Sequence, residues 1–284
     1  MVSFRSSQFR ALLAGLIIAD AMSHQQLRCL VPLFEEQSID LGSSSMSSNT
    51  AIVSDRWCHR IVDQLSSFSS ANTNKLISPV ECQTLQQLPP TDNPLESLLI
   101  GIPKVLAELD PTMTLAHHDS AEGAIALAFY QGMMALLDRD LKRVEQLEAS
   151  ITTTATTTTE PLTQMVALAF EHVLSADGDF ILSVRQSLYS ASPLPGLPIL
   201  AGILSSCWTG LSGLPLAAYA ELYVTSSSLR GWLQPRWRLT EAATLEAWAT
   251  GLWQQWSGSL TSTSFSSFGV AVQPVSISSP VKSG

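Results

Sequence analysis

Few side chains in this sequence of 284 residues have a type and setting suited to chemistry. Asp20 sits inside an otherwise apolar segment. Asp55 lies one turn inside a second apolar-periodic segment, and His117 and His118 stand side by side just ahead of a third. Carboxylates and imidazoles are the groups that most often move protons in catalysis, so these four are the candidate acid–base residues. Each also has a simpler reading. Asp20 suits a polar group in a helix interior, satisfied by its neighbours. Asp55 suits an acid incidental to its helix. The two histidines suit capping or packing before a helix N-terminus. Asp177 and Asp179, in the run SADGD, read as a turn followed by a helix N-cap, because a calcium loop of the EF-hand kind needs ligands spread over about twelve residues and a closing Glu. The sequence carries no GxSxG, P-loop or GxGxxG pattern.

The four cysteines, Cys29, Cys58, Cys82 and Cys207, are far apart, and Cys58-His59 is a lone neighbouring pair. Zinc needs about four ligands at short, regular spacings, so these read as free thiols of a reducing, cytoplasmic compartment. The formal net charge is -9 and only 14% of residues are charged. An acidic chain without a cationic cluster is not expected to bind nucleic acid or an anionic membrane.

The elements that must position these groups read as helices. Apolar residues recur at three- and four-residue spacing in 8–22, 51–67, 95–108, 121–148, 161–175, 179–190, 198–211 and 240–256, and strand-like alternation is scarce. The expected fold class is all-α, a compact multi-helix bundle. Arg5 and Arg10 precede an apolar run at 11–18 that mimics a signal peptide. That run falls short of the roughly 20 residues that cross a bilayer. Phe9, Leu12, Leu13, Leu16 and Ile17 form a helical stripe instead, so a core helix is expected. Asp119 and Glu122 form a capping arrangement ahead of the segment at 121. Ala201, Gly202, Ser205, Ser206 and Gly210 give residues 198–211 a face of small side chains, suited to close helix packing.

Residues 43–48 and 66–73 read as polar loops. ITTTATTTT places a Thr-rich loop at 151–160, since Thr loses rotamer freedom in a helix. One domain is expected over 1–256, followed by a Ser-rich disordered tail at 257–284. Trp232, Trp237, Trp248, Trp253 and Trp256 crowd the C-terminal part. Core packing is the simpler account of them, and an aromatic face for a partner is the sharper one.

Four segments, in order, resemble the ADP-ribosylglycohydrolase family over most of residues 8–215. FRALLAGLIIADAM, at 9–22, is similar to the family's opening helix, roughly GALLGLAIGDALG, with Asp20 at the aspartate. NPLESLLIGIPKVL, at 93–106, loosely resembles MRxxPLGLL. LAHHDSAEGAIALAFYQGMMALL, at 115–137, resembles THxHPxAxxGAxALAxAxAxLL, with His117, Ala121, Gly123 and Ala124 in place. The stretch 199–215 is similar to the closing AxxGAxxGxxxGxxxIP helix. The resemblance implies an all-α fold, a pair of magnesium or manganese ions held by aspartates of a TDDT turn and of a GGDTDT signature, and hydrolysis of an N- or O-glycosidic bond to ADP-ribose.

The metal positions depart from that pattern. The TDDT turn corresponds to Ser47, Ser48, Asn49 and Thr50, and the later aspartates to Pro193 and Pro195. Proline has no side-chain oxygen, and hard cations want negatively charged oxygen ligands. The expectation is a vestigial pocket of Ser48, Asn49, Thr50, Pro193 and Pro195, with no metal and no other cofactor. The chain then acts as a catalytically inactive scaffold or regulatory module for a protein partner. Two alternatives stay open. One is a residual metal-independent or one-metal hydrolase using Asp20, Asp55, His117 or His118. The other is a metal-free sensor of an ADP-ribose-like nucleotide, held by hydrogen bonds from Ser48, Asn49 and Thr50. The prolines of SPLPGLP stiffen that loop and remove backbone donors, which favours the protein-partner reading.

Overall fold

The computed structural model describes residues 2–24, 56–70, 93–108, 121–157, 160–190, 194–224 and 229–257. Among the described residues there are eleven α-helices and no strand: α1 Val2–Ser23, α2 Arg56–Ser70, α3 Pro94–Glu108, α4 Ala121–Asp138, α5 Leu141–Thr157, α6 Pro161–Ser175, α7 Phe180–Leu188, α8 Leu197–Thr209, α9 Leu216–Tyr223, α10 Arg230–Trp237 and α11 Ala242–Ser257. A short 3-10 turn, Gly210–Gly213, follows α8. The all-α expectation holds. One contiguous apolar cluster draws side chains from all eleven helices.

α1 and α8 form the centre. The sequence predicts one apolar stripe on α1, but the structure buries Ala11, Ala14, Ile18, Ala19 and Ala21 as well. A helix apolar on every side lies in a core rather than on a surface. α8 is buried from Leu197 to Cys207 without a break. The two helices meet through small residues, as the face on 198–211 predicts. A Cβ on Gly15 would lie 2.5 Å from the Ser206 Cβ, and one on Gly202 would overlap Ala19. Their backbones therefore approach to a distance that longer side chains would prevent. α11 packs on the other side of α1 and bridges to α2 and α3, while α6, α7 and α4 surround α8.

Three expectations about segments need correction. The segment 121–148 is not one helix. Arg139 takes a left-handed conformation (φ 60°), the backbone N–H of Asp140 donates to Ala135 O at 2.8 Å, and Asp140 Oδ1 accepts from Arg143 N at 3.2 Å to start α5. The Thr-rich stretch is not a loop as far as Thr157. Ile151 anchors it in the core, and the hydroxyls of Thr153 and Thr154 donate to Ala149 O (2.7 Å) and Ser150 O (3.0 Å) along the helix. Those back-bonds satisfy the hydroxyls within the helix without offsetting the low propensity of Thr. The polar stretch from Ser66 to Ser70 is likewise the last turn of α2, with Ser67 Oγ donating to Gln64 O at 2.6 Å. Residues 43–48, Asp119 and 258–284 lie outside the described residues, as do Cys29 and Cys82. Cys58 and Cys207 are buried.

The turn between α6 and α7 follows its expected role. Asp177 (φ 50°) and Gly178 (φ 76°) take left-handed conformations, and Asp179 caps α7 by accepting from Leu182 N at 2.8 Å. Ser205 Oγ donates to Gly178 O at 2.5 Å and ties the turn to α8. Among the described residues no single helix is long and apolar enough to cross a membrane. The bent pair Leu197–Gly213 and Leu216–Tyr223 passes by length and composition, yet its first member is the enclosed core helix α8.

Candidate functional site

Asp20 lies in the last turn of α1 with no exposed surface. An ionised carboxylate in such a place needs charged or strongly donating partners. α10 supplies them. Arg236 Nε donates to Asp20 Oδ2 at 2.7 Å and Nη2 donates to Oδ1 at 2.9 Å, a two-pronged geometry that matches guanidinium to carboxylate. Trp237 Nε1 donates to the same Oδ2 at 2.8 Å. His24, one turn further along, brings Nε2 to 3.6 Å from Oδ1.

Tryptophans enclose the cation. The Arg236 guanidinium carbon lies 5.7 Å from the Trp57 ring centre and 5.5 Å from that of Trp232, within the range where an aromatic face attracts a cation. Trp57 and Trp237 meet edge to face at 5.3 Å. His59 and Pro235 O, 2.8 Å apart, and the exposed pair Arg238–Asp63, at 2.6 Å, add links between α2 and the end of α10. The surface pair contributes little, since exposed ion pairs are largely screened.

This arrangement corrects the local reading of Asp20. Its strongest partners are 216 and 217 positions away, and only His24 is a sequence neighbour. The chemical consequence is direct. Both carboxylate oxygens accept charge-assisted hydrogen bonds, and no face is open to water. Asp20 therefore cannot ligate a cation or take a proton from a substrate unless α10 leaves. Pro195 sits in the turn that enters α8, beside Gly196 at φ 97°, and the Gly196 carbonyl accepts from Ile199 N and Leu200 N, both at 3.0 Å. That turn offers a metal no side-chain oxygen from Pro195. Neither Asp20 nor Pro195 fits the pair of metal ions that the resemblance implies. Among the described residues no group of three or more His, Cys, Asp or Glu is placed to hold a metal. Asp55, His117, His118, Ser48, Asn49, Thr50 and Pro193 lie outside the described residues, so Asp20 and Pro195 are the sequence-predicted site positions that the structure places.

Sequence reasoning missed Arg236 as a partner. The signal was present in RGWLQPRW, a cation among tryptophans, together with an aspartate in an apolar helix that needs one. The aromatic residues themselves follow the core reading. Trp237 and Trp248 are buried, and Trp232, Trp253 and Trp256 pack against the core from its edge.

A second polar contact joins α6 and α7. His172 Nδ1 lies 2.9 Å from Ser187 Oγ, whose proton goes to Ser183 O at 2.8 Å, so the imidazole donates. Burial holds His172 below the ordinary histidine range, with Glu171 pulling the other way. The Ser187 hydroxyl is buried and already committed to its own helix. The pair is a packing contact rather than a nucleophile and its base.

No protein-family model, curated protein or solved structure matches the chain.

Proposed function

We propose that this chain is a non-catalytic binding module on an ADP-ribosylglycohydrolase-like scaffold, serving as a scaffold or regulatory subunit for a protein partner. The observation that supports it most is the commitment of Asp20. The acid on the opening helix is enclosed by Arg236 and Trp237 and is removed from proton transfer and from cation binding. The sequence adds Ser48, Asn49, Pro193 and Pro195 where the resembled family carries aspartates. Polarising a glycosidic centre with divalent cations needs negative oxygen ligands, and this set of residues does not provide them. The prolines of SPLPGLP stiffen their loop and remove backbone donors, which favours a protein partner over a nucleotide.

The test is calorimetric titration of ADP-ribose into the full chain, in excess magnesium and again in chelator, with an assay for ADP-ribose release from a modified protein. Absence of both heat and turnover is the expected result. Saturable binding in chelator would replace this reading with a metal-free nucleotide sensor. Metal-dependent turnover would overturn it in favour of a hydrolase using Asp55, His117 or His118.

A further inference from the structure

We propose that the Asp20–Arg236 pair is a folding checkpoint, one that makes burial of the central helix α1 conditional on the docking of α10. α1 is enclosed by apolar neighbours, and most of that cover comes from α8 and α11. α8, LPILAGILSSCWT, carries no cation. If α1 and α8 packed on apolar grounds alone, Asp20 would be stranded as an uncompensated charge, at a cost of about several kcal/mol. The groups that offset this cost, Arg236 and Trp237, both belong to α10. His24 is partly exposed and is a cation only when protonated.

α10 has eight residues and an internal proline at Pro235, too little to hold a helix by itself. It gains its place from the same contacts. Leu233 and Trp237 enter the core, and the Arg236 guanidinium lies over the rings of Trp57 of α2 and of Trp232. The ends of α1, α2 and α10 therefore close around one charge together. Apolar packing tolerates small slips of one helix along another, whereas a two-pronged ion pair with an indole donor fixes one register. Burial of the N-terminal helix is thus coupled to residues near the far end of the fold.

The experiment is hydrogen exchange of the α1 amides in the full chain, comparing the parent with Arg236→Met and with Asp20→Asn/Arg236→Met. Asn keeps an acceptor for the Trp237 indole and removes the charge. Arg236→Met is expected to speed exchange in α1 by on the order of a hundred-fold or more, the range for a buried charge deprived of its partner. The double variant is expected to return to within about ten-fold of the parent. Parent-like protection in Arg236→Met would overturn the proposal. So would a double variant as fast as the single one, because that would assign the role to arginine stacking on Trp57 and Trp232. If Arg236→Met does not fold, the double variant decides: folded and protected supports the checkpoint, unfolded overturns it.

Discussion

Gly202 on α8 faces Ala19 on α1 with no room for a methyl group between them. Gly202→Ala is therefore expected to destabilise the fold by about 1–3 kcal/mol, overpacking outweighing the better helix propensity of alanine. Gly231 on α10 is the control, since a Cβ there meets nothing within 4 Å. Gly231→Ala is expected to stabilise by up to about 1 kcal/mol. Urea unfolding of the two variants reads both signs, and a destabilised Gly231→Ala or an unaffected Gly202→Ala would contradict the packing described.

The fold should weaken in alkali. Burial raises the Cys207 thiol and the Tyr130 phenol well above their ordinary ranges, and Tyr130 Oη donates to Leu98 O at 2.7 Å. Tyr223 is raised as well, by partial burial and by its hydrogen bond to Tyr219. In each case the unfolded chain loses its proton first. The contribution is present below the unfolded value and is lost as pH rises beyond it. Stability is expected to decline from about pH 9, where a free thiol ionises, and more steeply beyond about pH 10 as the phenols follow. Unfolding midpoints at pH 8, 9 and 10 check this, and Cys207→Ala should flatten the first part of the decline.

The exposed threonines of α5 cost helix stability. The hydroxyls of Thr153, Thr154 and Thr156 donate to backbone carbonyls of their own helix. Thr153→Ala/Thr154→Ala/Thr156→Ala is expected to stabilise by about 1–2 kcal/mol, from propensity summed over three sites. A higher thermal midpoint together with slower exchange at the end of α5 is the expected readout. A lower midpoint would mean that the hydroxyls bond to something that matters more than propensity.

Asp179 is worth a cap. Asp179→Ala is expected to cost about 1 kcal/mol, and Asp179→Asn less, since an amide oxygen can still accept from Leu182 N. The comparison of the two substitutions by urea unfolding separates the hydrogen bond from the charge at the start of α7.

Local and periodic features were legible in the sequence. The Asp179 cap, the helical class and the small-residue face of α8 each depend on residues within a turn or two of one another. The features that escaped depend on distant partners. Nothing near Asp20 announces Arg236, because the requirement is for a cation somewhere, and the bundle topology chooses which one. The Thr-rich stretch failed for a related reason. Propensity favours a loop, but Ile151 in the core holds it in α5 as far as Thr157. The split at Arg139 turns on a left-handed residue that apolar spacing does not report. For the candidate site, the sequence identified Asp20 as the residue to watch and misjudged what surrounds it.

α1 and α11 lie against each other, with Phe9 edge-on to Trp256 at 6.4 Å and Arg10 reaching Glu246 at 3.2 Å. The first and last described helices thus share one seam. Tension applied at Val2 and Ser257 would therefore load that seam directly, together with the larger contact between α1 and α8. The two ends of the described fold are held by one packed layer, so a pull on either one is felt by the central helix α1.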